Sequence, residues 1–247
     1  MSEKKSRIPD GQGVRKLKLS DITPQCDIFI NEKIYSLPEL VSGKKVANIG
    51  CGYGKQRKIV ENAGGEWVGV EPFEGGEHTV VGDAENLPFE NESFDIVLMD
   101  AVLEHIPNVA NAFSEVSRIL RKGGLFVGYV AYMECFHEIS YSHLSFKAME
   151  HLAKINNMKL EKISGGRRFG IDYHLRVLFY PININFLRGL IASCIRSIIW
   201  TKSKFAFCGL IFLRNKTMKE ASNMCDLYYK IECLRQSVGF DFVIRKA

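Results

Sequence analysis

Twelve residues, from Tyr132 to His143, hold two histidines, two carboxylates and two tyrosines: Tyr132, Glu134, His137, Glu138, Tyr141 and His143. A neutral imidazole is basic enough near pH 7 to take a proton from a hydroxyl nucleophile. His137 and His143 are therefore the candidate general bases. The competing reading is a loop that covers a pocket, its histidines hydrogen-bonded to backbone. Cys135, His137, Glu138 and His143 are metal-ligating residue types, but their spacing matches no standard zinc arrangement, so no metal is expected. His78, His151 and His174 suggest no role. Outside the loop, three glycines at Gly50, Gly52 and Gly54, an acid at Glu71 and another at Asp83 each stand just after a short apolar run. Glycine lets a chain turn sharply and approach a ligand closely, and a carboxylate there can accept hydrogen bonds from a ribose diol.

Residues so spaced need strands to hold them. The apolar runs Val46–Ile49, Trp67–Val70, Thr79–Val81, Phe94–Met99 and Leu125–Ala131 alternate with helical stretches at Lys55–Ala63 and Val109–Leu120. That alternation predicts a parallel, doubly wound sheet. In the second helix Ala110, Phe113, Val116, Ile119 and Leu120 fall on one face, and Lys122-Gly123-Gly124 is expected to stop it. A helix at Phe146–Ile155, a strand at Met158–Ile163 and a last strand at Phe240–Arg245 complete the pattern, the first ordered element lying near Ile28 to Val41. Three divisions follow: a flexible basic tail at 1–20, a main domain at 21–166 and 238–247, and a helical insertion or cap at 167–237.

The glycine spacing is GxGxG, and Lys55 stands where the nicotinamide fingerprint needs a third glycine. Asp83-Ala84, Leu87-Pro88-Phe89 with Ser93-Phe94-Asp95, Leu103-Glu104-His105 and the turn from Arg118 to Gly124 follow in order. Residues 45–131 thereby resemble the core of class I S-adenosylmethionine-dependent methyltransferases, in the type 11-like branch. The resemblance implies a Rossmann-like fold with a seven-stranded, mostly parallel sheet and helices on both faces, and S-adenosylmethionine as cofactor. It implies a cofactor site of Asn48, Gly50, Cys51, Gly52, Gly54, Glu71, Pro72, Asp83, Ala84, Asp100 and His105. In the family an acid usually stands two residues before the first glycine, where this chain has Asn48, whose amide can hold the loop by hydrogen bonds instead.

With 247 residues, 46% of them hydrophobic, the chain can bury a full core. Seven cysteines without a CxxC pair, and an N-terminus lacking an apolar signal segment, predict a reducing, cytoplasmic setting. The net charge of +5 is unevenly spread: no acid occurs between Tyr173 and Lys219, a stretch with eight Lys or Arg. Within it Leu187, Leu190, Ile191, Cys194, Ile195 and Ile198 share a helical face, and Phe205–Leu213 is a second apolar run. Interrupting cations leave no span of about 20 apolar residues, so a membrane-crossing helix is excluded on length. The face is expected to pack on the domain or on a second subunit of a homodimer. The alternative is an interfacial helix pair on the anionic inner face of a membrane, through residues 173–219.

The acceptor is narrowed by motifs that are missing. No Pro-Cys dipeptide serves attack on a cytosine ring, and no Asp/Asn-Pro-Pro-aromatic motif serves amine methylation of bases. The expected activity is O-methylation of a small-molecule, sugar or lipid-linked acceptor, with nucleic acid disfavoured. An RNA methyltransferase and a non-catalytic scaffold that binds S-adenosylmethionine are the alternatives.

Overall fold

The structure is a computed structural model, and it describes residues 23–30, 32–133, 139–165, 185–214 and 216–247. The expected tail at 1–20, His137 and the first part of the insertion lie outside the described residues. Among the described residues eight strands form one sheet in the order β1-β7-β8-β6-β5-β2-β3-β4. They are β1 (Asp27–Phe29), β2 (Lys45–Ile49), β3 (Glu66–Glu71), β4 (Val80–Val81), β5 (Phe94–Asp100), β6 (Leu120–Ala131), β7 (Met158–Ser164) and β8 (Gly239–Lys246). Among these strands β8 alone runs antiparallel to its neighbours. The Rossmann-like, mostly parallel class I fold is as expected, with one strand more than seven. The added strand is β1, a three-residue edge strand paired with β7.

The two faces can be read from the strands' alternation. Val97 and Met99 of β5 join a core cluster on one face, with α3 (Val109–Ile119), α4 (Phe146–Ile155) and the last turns of α6 (Met218–Arg235). Ile96 and Leu98 join the cluster on the other face, with α1 (Leu37–Val41) and α2 (Arg57–Asn62). Phe126 of β6 anchors the first cluster, its ring meeting Phe113 and Phe242 edge-on at 5.5 and 4.9 Å. Burying such rings contributes most of the driving force for folding, about 1.5–3 kcal/mol per large apolar side chain.

Three local expectations are corrected. Helix α3 buries Val109, Ala112, Phe113, Val116 and Ile119, while Ala110 is exposed, because the buried stripe is rotated toward β6. The helix ends at Ile119, before the glycines: Leu120 is already extended and pairs with Phe94. Residues 121–124 then loop out, with Gly123 at φ +74, before Leu125 pairs with Ile96. The glycines thus serve a bulge in β6, where a Cβ on Gly124 would meet the Arg121 and Asp95 carbonyl oxygens at under 3 Å. Finally, the two apolar runs of the insertion are one helix, α5 (Asn185–Arg214), which packs along α6.

Candidate active site

Strand order reverses between β2 and β5, since the chain builds β3 and β4 on one side of β2 and β6 on the far side of β5. Loops leaving the carboxyl ends of strands diverge at such a point and open a crevice. The loops after β2, β3, β4 and β5 line a cleft of about 620 Å³ here. That lies within the ordinary range for small-molecule sites.

The β2 loop is shaped by its three glycines, at φ +67, +53 and +63 for Gly50, Gly52 and Gly54. A Cβ on Gly50 would sit 2.4 Å from a Val102 methyl carbon, so that position requires glycine on space as well as on φ. Gly52 borders open space, and its N–H donates to Oε1 of Glu71. Glu71 is the last residue of β3 and is buried, so its carboxylate ties the glycine loop to the cleft wall while lining the cleft. Burial, with the Glu71 charge beside it, pushes the Cys51 thiol up to about 11.

Asn48 lies buried beneath the loop, its Nδ2 donating to Oε1 of Gln56 at 3.5 Å, and Gln56 Nε2 donates to Oδ2 of Asp100 at 3.2 Å. An amide relay therefore joins β2, the start of α2 and the end of β5, where the family usually has an acid. On the same side, burial first and then the nearby Asp241 and Asp100 charges hold the Tyr35 phenol well above its ordinary range. Asp100 and Asp241 both register with Tyr129 of β6, which sets the two acids across adjacent strands.

Beyond β4, Asp83 Oδ1 accepts the Glu85 N–H at 2.9 Å, a turn that leaves Asp83 exposed on the cleft and Ala84 buried. The Leu87–Phe89 segment is fixed by Arg118 of α3. Its guanidinium donates to the Leu87 and Phe89 carbonyls at 2.9 and 2.6 Å and to Glu115, which also accepts the Leu87 N–H at 2.7 Å. Arg118 holds the Glu115 carboxyl below its usual range, with the Leu87 N–H adding to the effect against desolvation. This network gives the paired Leu-Pro-Phe and arginine motifs a physical reason: one side chain clasps the turn that presents Asp83.

Of the expected site residues, Gly50, Glu71, Pro72, Asp83, Ala84 and His105 line the cleft. Asn48, Cys51, Gly52, Gly54 and Asp100 support or flank it without lining it. His105 stands in the wall with Nδ1 2.5 Å from the Ile139 carbonyl oxygen, which fixes its ring against the loop after β6. His143 is exposed, Nε2 2.7 Å from Ser140 Oγ, and is not among the lining residues. His137, Cys135 and Glu138 lie outside the described residues. Sequence reading missed Phe73, Val102, Ile106, Pro107 and Ile139, which with Tyr141 of the candidate loop give the cleft its apolar walls. Phe73, Ile106 and Pro107 directly follow motif residues, a signal that was available; nothing in the sequence marks Ile139.

The donor set suits S-adenosylmethionine. A buried carboxylate at the end of β3 offers an acceptor to a diol, Asp83 and Ala84 line the same cleft, and Phe73 and Ile106 add apolar surface that a base could lie against.

Comparison with known proteins agrees. Residues 47–128 match a family model described as a methyltransferase domain. An uncharacterized protein of Methanocaldococcus jannaschii is 32% identical over 141 residues, covering 54% of this chain and 56% of that one. A probable phthiotriol/phenolphthiotriol dimycocerosates methyltransferase of Mycobacterium ulcerans is 32% identical over 124 residues, 44% of this chain and 48% of that one. The chain thus spans about half the length of these relatives. Among solved structures, a putative sarcosine dimethylglycine methyltransferase from Galdieria sulphuraria superposes with a TM-score of 0.52 at 16% identity, over 85% of this chain and 82% of that one. At that identity the likeness shows the fold.

Proposed function

We propose that this chain, whose residues 47–128 match a methyltransferase domain model, is a class I S-adenosylmethionine-dependent methyltransferase that moves a methyl group to an oxygen of a small-molecule, sugar or lipid-linked acceptor. The observation that carries the reading is the Glu71 carboxylate, buried at the end of β3 and bonded to the Gly52 N–H at the reversal of strand order. S-Adenosylmethionine supplies, when bound, a methyl group on a positively charged sulfur. Glu71 would accept the ribose hydroxyls, Asp83 and Ala84 would take the adenine edge, and Phe73 and Ile106 would flank the ring. Holding the acceptor in line with that sulfur is then the main demand on the protein.

The acceptor's proton is assigned to the loop after β6, with His137 or His143 as base. Imidazole is the side chain suited to that task, and the end of the loop at Tyr141 and Ser142 is anchored beside the cleft, where their N–H groups donate to the Glu104 carbonyl at 2.8 and 3.4 Å. The lipid-linked class of acceptor draws support from the mycobacterial relative, whose name specifies phthiotriol and phenolphthiotriol dimycocerosates.

Calorimetric titration with S-adenosylmethionine and S-adenosylhomocysteine tests the site. Glu71→Ala and Asp83→Ala should each weaken binding by about 1–3 kcal/mol, the cost of leaving ligand polar groups unpaired. Unchanged affinity in both variants would refute the site as drawn. For the base, His137→Ala and His143→Ala are compared: the true base lowers kcat without altering cofactor affinity and removes the acid limb of the pH profile. A profile unchanged in both assigns the proton elsewhere, with Asp100 and Tyr35 the next groups to substitute.

A further inference from the structure

Helix α5 buries little for its length. Across its 30 residues, Ser203 is the one buried side chain among those described. Leu187, Leu190, Ile198, Phe205 and Phe212 recur at steps of three, eight and seven residues, which puts them within an arc of about 80° at 100° per residue. That arc is centred opposite Ser203, and Ile198, Phe205 and Phe212 are 65%, 75% and 79% exposed. The stripe runs for about 37 Å at 1.5 Å per residue, longer than a monomer in water ordinarily shows. No described residue covers it, since the helix's packing partner is α6, on its other side.

Charge decides what fits. Helix α5 carries Arg188, Arg196, Lys202, Lys204 and Arg214 and no acid. A second copy laid along the stripe would bring Lys202 and Lys204 toward the same cations with no carboxylate on the helix to pair them. Lipid phosphates remove that conflict. Lys202 and Lys204 flank the stripe from its two sides, and Lys204 Nζ rests 5.3 Å from the centre of the Trp200 ring. An indole beside an ammonium suits the boundary between acyl chains and headgroups, where the ring stays apolar and the charge reaches water or phosphate.

We propose that α5 is a docking surface for an anionic lipid bilayer, lying in the headgroup layer with the Leu187–Phe212 stripe toward the acyl chains and its cations against phosphates. No covalent step is involved, and the surface stands independently of the transferase reading. Lipid-linked acceptors would meet the protein at the surface it occupies.

Flotation of the full chain with phosphatidylcholine vesicles, with and without phosphatidylglycerol, tests this. Flotation is expected with the anionic vesicles at least about tenfold above phosphatidylcholine alone, as two neutralised cations would give. Added salt should weaken it, and so should the double substitution K202E/K204E. F205D and F212D should abolish it while thermal unfolding and S-adenosylmethionine binding stay unchanged, which separates lost docking from lost folding. Equal flotation with both vesicle types, or none with either, overturns the proposal. So does a concentration-dependent dimer that F205D dissolves in sedimentation without any flotation, since the stripe would then belong to a second copy.

Discussion

Helices α3 and α5 both carry an apolar stripe, yet the two stripes end in opposite environments. Five of the 11 residues of α3 are buried, Phe113 and Val116 among them, while Ser203 is the one described residue of the 30 in α5 to reach that state. The difference lies in what stands within reach. Helix α3 runs back along the sheet it has just left and meets Phe126, whereas α5, among the described residues, lies mainly on helix α6, and a helix offers a narrower stripe than a sheet face. Amphipathic patterning states that a face must be covered; it does not state by what.

The sharpest way to break that comparison is a pair of truncations. Phe126→Ala should cost about 3–5 kcal/mol, for lost transfer energy plus the cavity left among Phe113, Phe242 and their neighbours. Phe212→Ala should stay within about 0.5 kcal/mol, as an exposed surface substitution does. Denaturant unfolding of the two variants measures both, and a large loss for Phe212→Ala would mean that α5 is already covered in the isolated chain.

Next in size is Arg118→Ala, which strips the Leu87 and Phe89 carbonyls and the Glu115 carboxylate of one shared donor. Stability should fall by about 1.5–3 kcal/mol, with Asp83 loosened and cofactor affinity reduced alongside. Its pH dependence follows from Glu115, whose carboxyl is held below the ordinary range in the folded state. A depressed folded value means stabilisation present above the unfolded carboxylate range and lost as pH falls through the folded one. The gap between wild type and Arg118→Ala should therefore be full at pH 7 and shrink in acid, which unfolding curves across that range would show.

The smallest expected effect is that of Gln56→Ala, which cuts the relay between Asn48 and Asp100 at its centre. A loss of about 0.5–1.5 kcal/mol is expected, because both partners are left with one bond fewer at a part-buried site. A loss of affinity for S-adenosylmethionine beyond that would show that the relay shapes the glycine loop as well as bracing it.

Much of the first half was legible because its signals are local. Gly50, Gly52 and Gly54 can be read as a turn from three letters, and Glu71 and Asp83 stand at strand ends that their own apolar runs define. Periodicity finds the Val109 helix but places Ala110 in its buried stripe in place of Ala112, two positions on, since a repeat fixes a face only to within a residue or two. The end of that helix was misread at Lys122-Gly123-Gly124: a glycine pair after a helix fits a cap and a bulge equally well, and only the pairing of Leu120 with Phe94 selects the bulge. Edge strand β1 was missed as a strand because three residues carry no period; its pairing with β7 comes from tertiary contact.

By itself the sequence determined the alternation of strands and helices, the glycine loop, the acids at the strand ends and the absence of acids from α5, all of them properties of neighbours in the chain or of composition. Tertiary structure alone decided that Glu71 bonds the Gly52 N–H across 19 positions, that Arg118 clasps Leu87 and Phe89, and that Asp100 and Asp241 stand across β6 from one another. It also decided that α5 turns its apolar stripe away from the protein. Contacts of that kind depend on which surfaces meet when the sheet closes, and a pattern along one element carries no information about its neighbour in space.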